Sequence, residues 1–372
     1  MALSNSQPAR RAARLASSLA LLILLAPPWA RLVRDWLFEN APRAALWFLA
    51  ALAALLASGL LWLAIRGLRG ARWPRWALLG CGLIALALLA AGFATDDPRV
   101  GAVERLHLIE YAALSALCFF ALGPRIRDWT RIGWALLLSV LVALGDELFQ
   151  WILPLRTGEL RDVLLDAGAA AAGLLAGLAL DPLRLQRAGS RSLARLLFAL
   201  AATALLVAAF IEVAHRGQWV SAPSCGRFRS YFSAAELRAR DRALAREPWR
   251  ATAPPPLVGI EDYAITEAGW HLQHRNLALE NQDWAAALGE QRILERYYDS
   301  FRRAKGAELE PALRGRGAEL GGAPESYVSP VLARRIWAEL SGWQLWGAAA
   351  LVGLSLAGGA AGVRARPDRS GT

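Results

Sequence analysis

The sequence has almost no lysine: of its 42 basic residues, only Lys305 is not an arginine. Cysteine is nearly as scarce, with Cys81 and Cys118 inside apolar runs and Cys225 alone outside them. No disulfide framework and no CxxC metal motif can be built from that set. Charged residues make up only 20% of the chain, against about 25% in ordinary soluble domains. The shortage is concentrated in apolar blocks of roughly 17–22 residues, each long enough to cross a hydrocarbon core about 30 Å thick. With 56% hydrophobic residues and a mean hydropathy of +0.31, these absences exclude a soluble enzyme, a disordered chain and a collagenous one. What remains is an all-α, polytopic helical membrane protein.

The net charge of +11 over 372 residues does not imply a nucleic-acid partner. Many of the arginines flank the apolar blocks, where they act as topology signals and meet lipid headgroups. About eight spans are expected, over 15–30, 44–65, 76–94, 106–122, 132–153, 163–180, 196–213 and 343–362. The first follows Arg10, Arg11 and Arg14 and closes at Pro27-Pro28, as a signal peptide ending near Ala30 would. Pro28 would then occupy a position that wants a small residue, which favours an uncleaved anchor.

Arginine asymmetry sets the orientation. One set of short connections carries Arg66, Arg69, Arg72 and Arg75, then Arg125, Arg127 and Arg131, then Arg184, Arg187, Arg191 and Arg195. The alternate connections mix fewer arginines with Asp and Glu. Both termini are therefore expected in the cytoplasm; the almost lysine-free, Ala/Leu/Arg-rich composition suggests a GC-rich bacterial genome, and so an inner-membrane location. The expected division is a three-span region over 1–95, a second three-span domain over 96–182, a seventh span within 193–216, a mainly helical extracytoplasmic insertion over 217–341, an eighth span within 342–363 and a cytoplasmic tail over 364–372.

In the insertion, Ser233 and Glu236 form a capping box that opens a charged helix. Past Pro254-Pro255-Pro256, helical spacing on both sides of Asn281-Gln282-Asp283 predicts an αα-hairpin from Glu261 to about Arg303. Its expected packing residues are Ala264, Trp270, Leu277, Trp284, Ala287, Ile293 and Tyr297. His271 and His274 are expected on the helix surface. His215 and Glu212 fall at a membrane interface, and Trp29, Trp36, Trp73, Trp76, Trp343 and Trp346 fit an aromatic belt.

Ionisable residues within a span cost at least ~2.5–3.5 kcal/mol each on insertion scales and need a reason. Here they are confined to the fourth, fifth and sixth spans. Glu104, His107 and Glu110 follow at i, i+3, i+6 beside Tyr111; Asp146, Glu147 and Gln150 precede Pro154; Arg161, Asp162 and Asp166 open the sixth span. His107, Glu147, Gln150 and Asp166 lie about one to two turns, ~5–10 Å, from one membrane face. A polar pocket opening outward is expected, joined by Pro154, Arg156, Gly158 and Glu159. Beyond it, Gly168, Ala169, Ala170, Gly173, Ala176 and Gly177 give the sixth span a small-residue face for close helix packing.

The segment His107-Leu-Ile-Glu110-Tyr111-Ala-Ala-Leu resembles the opening helix of the VanZ-like membrane family. The segment from Asp146-Glu147-Leu-Phe-Gln150 through Pro154, Arg156, Gly158, Glu159, Arg161 and Asp162 to Asp166 resembles that family's signature more specifically. The resemblance covers about 96–182. It implies a compact helical membrane domain in the bacterial envelope; the family takes its name from a protein linked to low-level teicoplanin resistance. The large insertion and the first three spans fall outside it.

Three readings follow for His107, Glu110, Tyr111, Asp146, Glu147, Gln150, Arg156, Arg161, Asp162 and Asp166. The arginines and acids neutralise one another and hold three helices in register. Alternatively, Arg156 and Arg161 hold a phosphate or carboxylate of a lipid headgroup or lipid-linked cell-wall precursor. As a third reading, His107 with a carboxylate serves as acid and base in a membrane enzyme acting on a lipid-linked substrate. His107 with Glu110, Glu147 and Asp166 is a metal-type donor set without metal-ligand spacing, so neither metal nor cofactor is expected. Membrane lipids are the expected partners, with a protein partner for 217–341.

Overall fold

The computed structural model describes residues 6–92, 98–153, 157–181, 188–222, 225–253, 263–308, 315 and 326–365. Among these, seven helices are long and apolar enough to cross a membrane: Leu46–Gly67, Trp73–Gly92, Arg105–Leu122, Thr130–Ile152, Leu160–Leu180, Ser190–Ala214 and Gly342–Val363. They lie within α3 (Pro42–Gly67), α4 (Trp73–Gly92), α5 (Pro98–Leu122), α6 (Thr130–Ile152), α7 (Leu160–Leu180), α8 (Ser190–Ala214) and α13 (Gly342–Ala365). The architecture is that of a helical, multi-pass membrane protein.

The first expected span differs in detail. Its residues divide between α1 (Ser6–Leu25) and α2 (Pro27–Asn40), with the break at Ala26. Pro27 and Pro28 occupy the first positions of α2, where their missing N–H groups cost nothing. Helix α1 includes Arg10, Arg11 and Arg14 and buries Ala12, Ala16 and Ile23 while Leu15, Leu21, Leu22 and Leu25 stay exposed.

The chain divides into two compact units, one of 1–150, 158–207 and 348–372, the other of 151–157 and 208–347. In the first, α7 is the centre: 56% of its apolar window is buried, against 6% for Leu46–Gly67. A helix so exposed and so apolar has lipid as its natural neighbour. The small-residue face of α7 does the packing. A Cβ on Gly173 would overlap the Ala112 carbonyl of α5, and one on Gly82 of α4 would sit 2.8 Å from the Ala172 carbonyl oxygen. Ser115 Oγ donates to the Ala170 carbonyl at 2.6 Å, a bond between α5 and α7 that this closeness permits.

Two arginines, in the first turns of α4 and α6, finish α7 at its C-terminal end. Arg75 donates to the carbonyls of Ala179 and Leu180. Buried Arg131 donates to Phe119 O at 2.6 Å and Asp181 Oδ2 at 2.9 Å, with its guanidinium 3.7 Å from the Phe119 ring centroid. These carbonyls have no partner within their helices, so cations belong there.

The second unit contains elements the apolar pattern does not announce. An antiparallel hairpin pairs β1 (Gln218–Ala222) with β2 (Gly226–Ser230), Val220 facing Phe228. Both are buried, and the alternate residues Ser221 and Arg227, which pair with each other, stay exposed. Gly226 adopts φ +70, where a Cβ would also overlap the Tyr327 carbonyl. Among the described residues the insertion is mainly helical, as expected, and also contains this two-stranded hairpin. The capping box of Ser233 and Glu236 opens α9 (Ala234–Arg246) as expected. The αα-hairpin consists of α10 (Tyr263–Glu280) and α11 (Trp284–Tyr297), followed by α12 (Asp299–Ala304). Asp283 caps α11 by accepting from Ala286 N, and Gln282 takes a positive φ of 57 in the turn. Ala264, Ala287, Ile293 and Tyr297 are buried, but Leu277 is 50% exposed and does not pack the hairpin. Pro254-Pro255-Pro256 lie outside the described residues.

Candidate functional site

The expected polar residues of α5, α6 and α7 gather around one side chain. Tyr111 is fully buried and within electrostatic reach of Asp166, Asp146, Glu147 and Glu110. Asp146, Glu147, Gln150 and Asp166 are buried as well. Gln150 Nε2 donates to Glu147 Oε1 at 2.7 Å and to Asp146 Oδ2 at 3.2 Å, bridging the two acids along one face of α6. Glu147 Oε2 accepts the backbone N–H of Glu159 at 2.8 Å, which fixes the start of α7 to α6. That backbone donor belongs to a residue the sequence places in the connection and not among the candidate site residues. The signal for it is positional: Glu159 immediately precedes α7, where N–H groups lack helical partners.

His107 and Glu110 are both half-buried and lie on one turn of α5, Nδ1 to Oε2 at 3.4 Å. The His107 ring is 6.3 Å from that of Tyr111. Arg161, which is exposed, pairs with adjacent half-buried Asp162 at 3.0 Å. Asp162 in turn lies within electrostatic reach of Glu147 and Asp166. Arg156 and Pro154 lie outside the described residues. Five carboxyl groups, Glu110, Asp146, Glu147, Asp162 and Asp166, therefore share one neighbourhood. A low-dielectric site of that composition needs protons or positive charge close by. Among the described residues, no three His, Cys, Asp or Glu side chains stand in metal-holding geometry.

The Tyr111 hydroxyl is buried and has no hydrogen-bond partner among the described residues. Buried phenols ordinarily find one. The cluster thus combines a tied framework, Glu147 with Gln150 and Glu159, and an unspent hydroxyl at its centre.

A second polar group lies in the second unit, and it corrects the surface reading of His271, while His274 is half-buried at its edge. His271 is fully buried between Phe228 and Tyr298, its Nδ1 2.5 Å from Glu290 Oε2. His274 lies 3.4 Å from Glu290 Oε1, which also accepts from Tyr327 and Ser329. Glu267, also fully buried, accepts from Ser230 Oγ, Tyr231 N and Tyr298 OH. His215 is likewise buried, stacked on Trp337 at 5.0 Å. Hydrogen bonds tie His271 Nδ1, Glu290 and Glu267 into a packed core that braces β2, α10 and α11, while His271 Nε2 is buried without a partner among the described residues.

The family model VanZ/LLP1 matches residues 99–181. This stretch contains α6, α7, the described part of their connection and nearly all of α5. Residues 99–181 are thus a VanZ-like domain within a longer, multi-pass chain. No curated protein and no solved structure matches the chain.

Proposed function

We propose that the protein lies in the bacterial cytoplasmic membrane with both termini inside and residues 217–341 outside. In this reading, the polar cluster of α5–α7 binds an envelope amphiphile or lipid-linked cell-wall precursor and so affects glycopeptide susceptibility. The observation that carries it is the Tyr111 hydroxyl, buried without a partner among four neighbouring carboxyl groups. A purely structural cluster would be expected to spend that hydroxyl on one of its own members. The framework around it is already fixed by Glu147, Gln150 and the Glu159 backbone. Such a framework holds a recognition group in place without consuming it. The arginine-rich connections on the opposite side support the orientation.

The test is native mass spectrometry of the full chain extracted from membranes, comparing wild type with Glu147→Gln, His107→Ala and Arg156→Ala. The expected result is a co-purifying amphiphile retained by wild type and lost from the variants while they stay folded. Identical bound species in all four, with only thermal stability falling, would leave the cluster as a structural brace and sink the proposal.

A further inference from the structure

The second unit contains a cavity of about 660 Å³ that the VanZ-like domain does not explain. Three apolar helices contribute their ends to it: Trp151 from the end of α6, Glu212 and Val213 from the last turn of α8, and Ser341 immediately before α13. Chain connectivity therefore puts the cavity at the edge of the apolar spans, where headgroups lie. Its wall combines flat rings with cations. Trp151 and Tyr263 stack at 5.7 Å between centroids. Their neighbours Tyr231 and Phe232 also line the space.

The hydroxyls of the two tyrosines are turned to backbone, Tyr263 to Trp151 O and Tyr231 to Ala214 O, which holds these rings in place. Arg240 stands with its guanidinium 4.0 Å from the Phe232 ring centroid. Arg216 pairs through Nε with Glu212 Oε1 at 2.8 Å. Two arginines against one glutamate leave the lining with a net positive charge. Trp151 Nε1 and Glu212 Oε2 are buried without a partner among the described residues, so the wall also has a donor and an acceptor unspent.

A guanidinium resting on an aromatic ring is weakly hydrated and well suited to a phosphate. The unspent donor and acceptor suit hydroxyl groups beside it. From this geometry we infer a second binding site, separate from the α5–α7 cluster, that takes the phosphate headgroup of an anionic membrane lipid with a hydroxylated head. The acyl chains stay with the apolar helix ends, and the headgroup lies among Arg216, Arg240 and the rings.

The test uses the full chain in detergent, with native mass spectrometry after titration with dioleoylphosphatidylglycerol or dioleoylphosphatidylcholine. The phosphatidylglycerol is expected to bind more tightly. Arg216→Gln combined with Arg240→Gln is expected to weaken its binding at least about tenfold, as loss of charge-assisted hydrogen bonds requires. Arg250→Gln removes the same kind of charge away from the cavity and is expected to leave binding unchanged. Gln218→Trp alters no charge and places a bulky ring at an exposed strand position on the wall, where β-sheet tolerates aromatics; it is expected to block the lipid. Equal binding of both lipids, full binding by the double variant or by folded Gln218→Trp, or equal competition by chainless glycerol 1-phosphate would each overturn the assignment.

Discussion

His271 and Glu290 meet across the αα-hairpin with both side chains at 0% exposure, Nδ1 to Oε2 at 2.5 Å. The same carboxylate accepts from Tyr327 and Ser329, so one buried group ties α10, α11 and the segment before α13 together. Glu290→Gln keeps the shape but removes the charge that His271 and His274 face. Breaking a buried pair from one side typically costs about 3–5 kcal/mol. The expected outcome is a marked fall in the thermal midpoint of the full chain in detergent. An unchanged midpoint would show that the network contributes little to stability.

The same site makes stability depend on pH from two sides. Burial by itself would raise the Glu290 carboxyl, but the His271 charge and hydrogen bonds from His271, His274 and Ser329 hold it well below the usual carboxylate range. Stability from a depressed acid is present above its unfolded pKa of about 4.3 and is lost as pH falls towards the folded value. His274 is raised, chiefly by its hydrogen bond to Glu290, against partial desolvation and with help from the Glu290 and Asp283 charges. Its contribution is complete below about pH 6.5 and disappears as pH rises through the raised value. Thermal midpoints measured across pH are expected to decline on both limbs. In His274→Gln the loss above neutrality is expected to shrink while the acid limb persists.

Gly173 marks where α5 and α7 touch backbone to backbone. Any Cβ there meets the Ala112 carbonyl, which belongs to a helix and cannot turn aside. Gly173→Ala is expected to cost about 1–3 kcal/mol through overpacking, and Gly173→Leu more. Gly59, with nothing near its absent Cβ, supplies the contrast: Gly59→Ala is expected to be silent. Yields of folded protein and thermal midpoints in detergent distinguish the two.

Arg131 makes two hydrogen bonds in different directions while lying on the Phe119 ring. Lysine carries the charge but not the planar fork, so Arg131→Lys cannot keep all three contacts. A loss of about 1–2 kcal/mol is expected from the hydrogen bond that goes unmade. If Arg131 served only as a topology signal, Arg131→Lys would leave the midpoint where it is.

Much of this was legible because it rests on local pattern. Seven apolar helices follow from run length, α9 from Ser233 and Glu236, and the α10–α11 turn from Asn281-Gln282-Asp283. The acids and Gln150 of α5–α7 stand out because ionisable residues within apolar runs are rare. What linear spacing hides is pairing across distance. His271 and Glu290 are 19 residues apart, yet a hairpin folded near 282 brings positions at similar distances from the turn side by side. The pair was contained in the hairpin but not in the spacing of either helix. The β-hairpin is hidden differently: its strands are five residues each, and their alternation competes with arginines on both sides. The Tyr111 hydroxyl, too, becomes informative only when three helices surround it.

That hydroxyl separates a brace from a binding site. Tyr111→Phe keeps the ring in its packed position and removes only the oxygen, which has no partner among the described residues. If the oxygen does nothing, its removal relieves a buried unsatisfied group, and stability is expected to hold or to rise by up to about 1–3 kcal/mol. A ligand that bonds the hydroxyl changes the second readout and not the first. The protein then stays as stable in detergent as wild type, but the co-purifying amphiphile is retained more weakly, by about tenfold for one lost hydrogen bond to a charged group. Thermal midpoints and native mass spectra of the same preparation give both readouts. Unchanged retention with unchanged or higher stability would assign Tyr111 to packing alone, and the proposed site would lose its central residue.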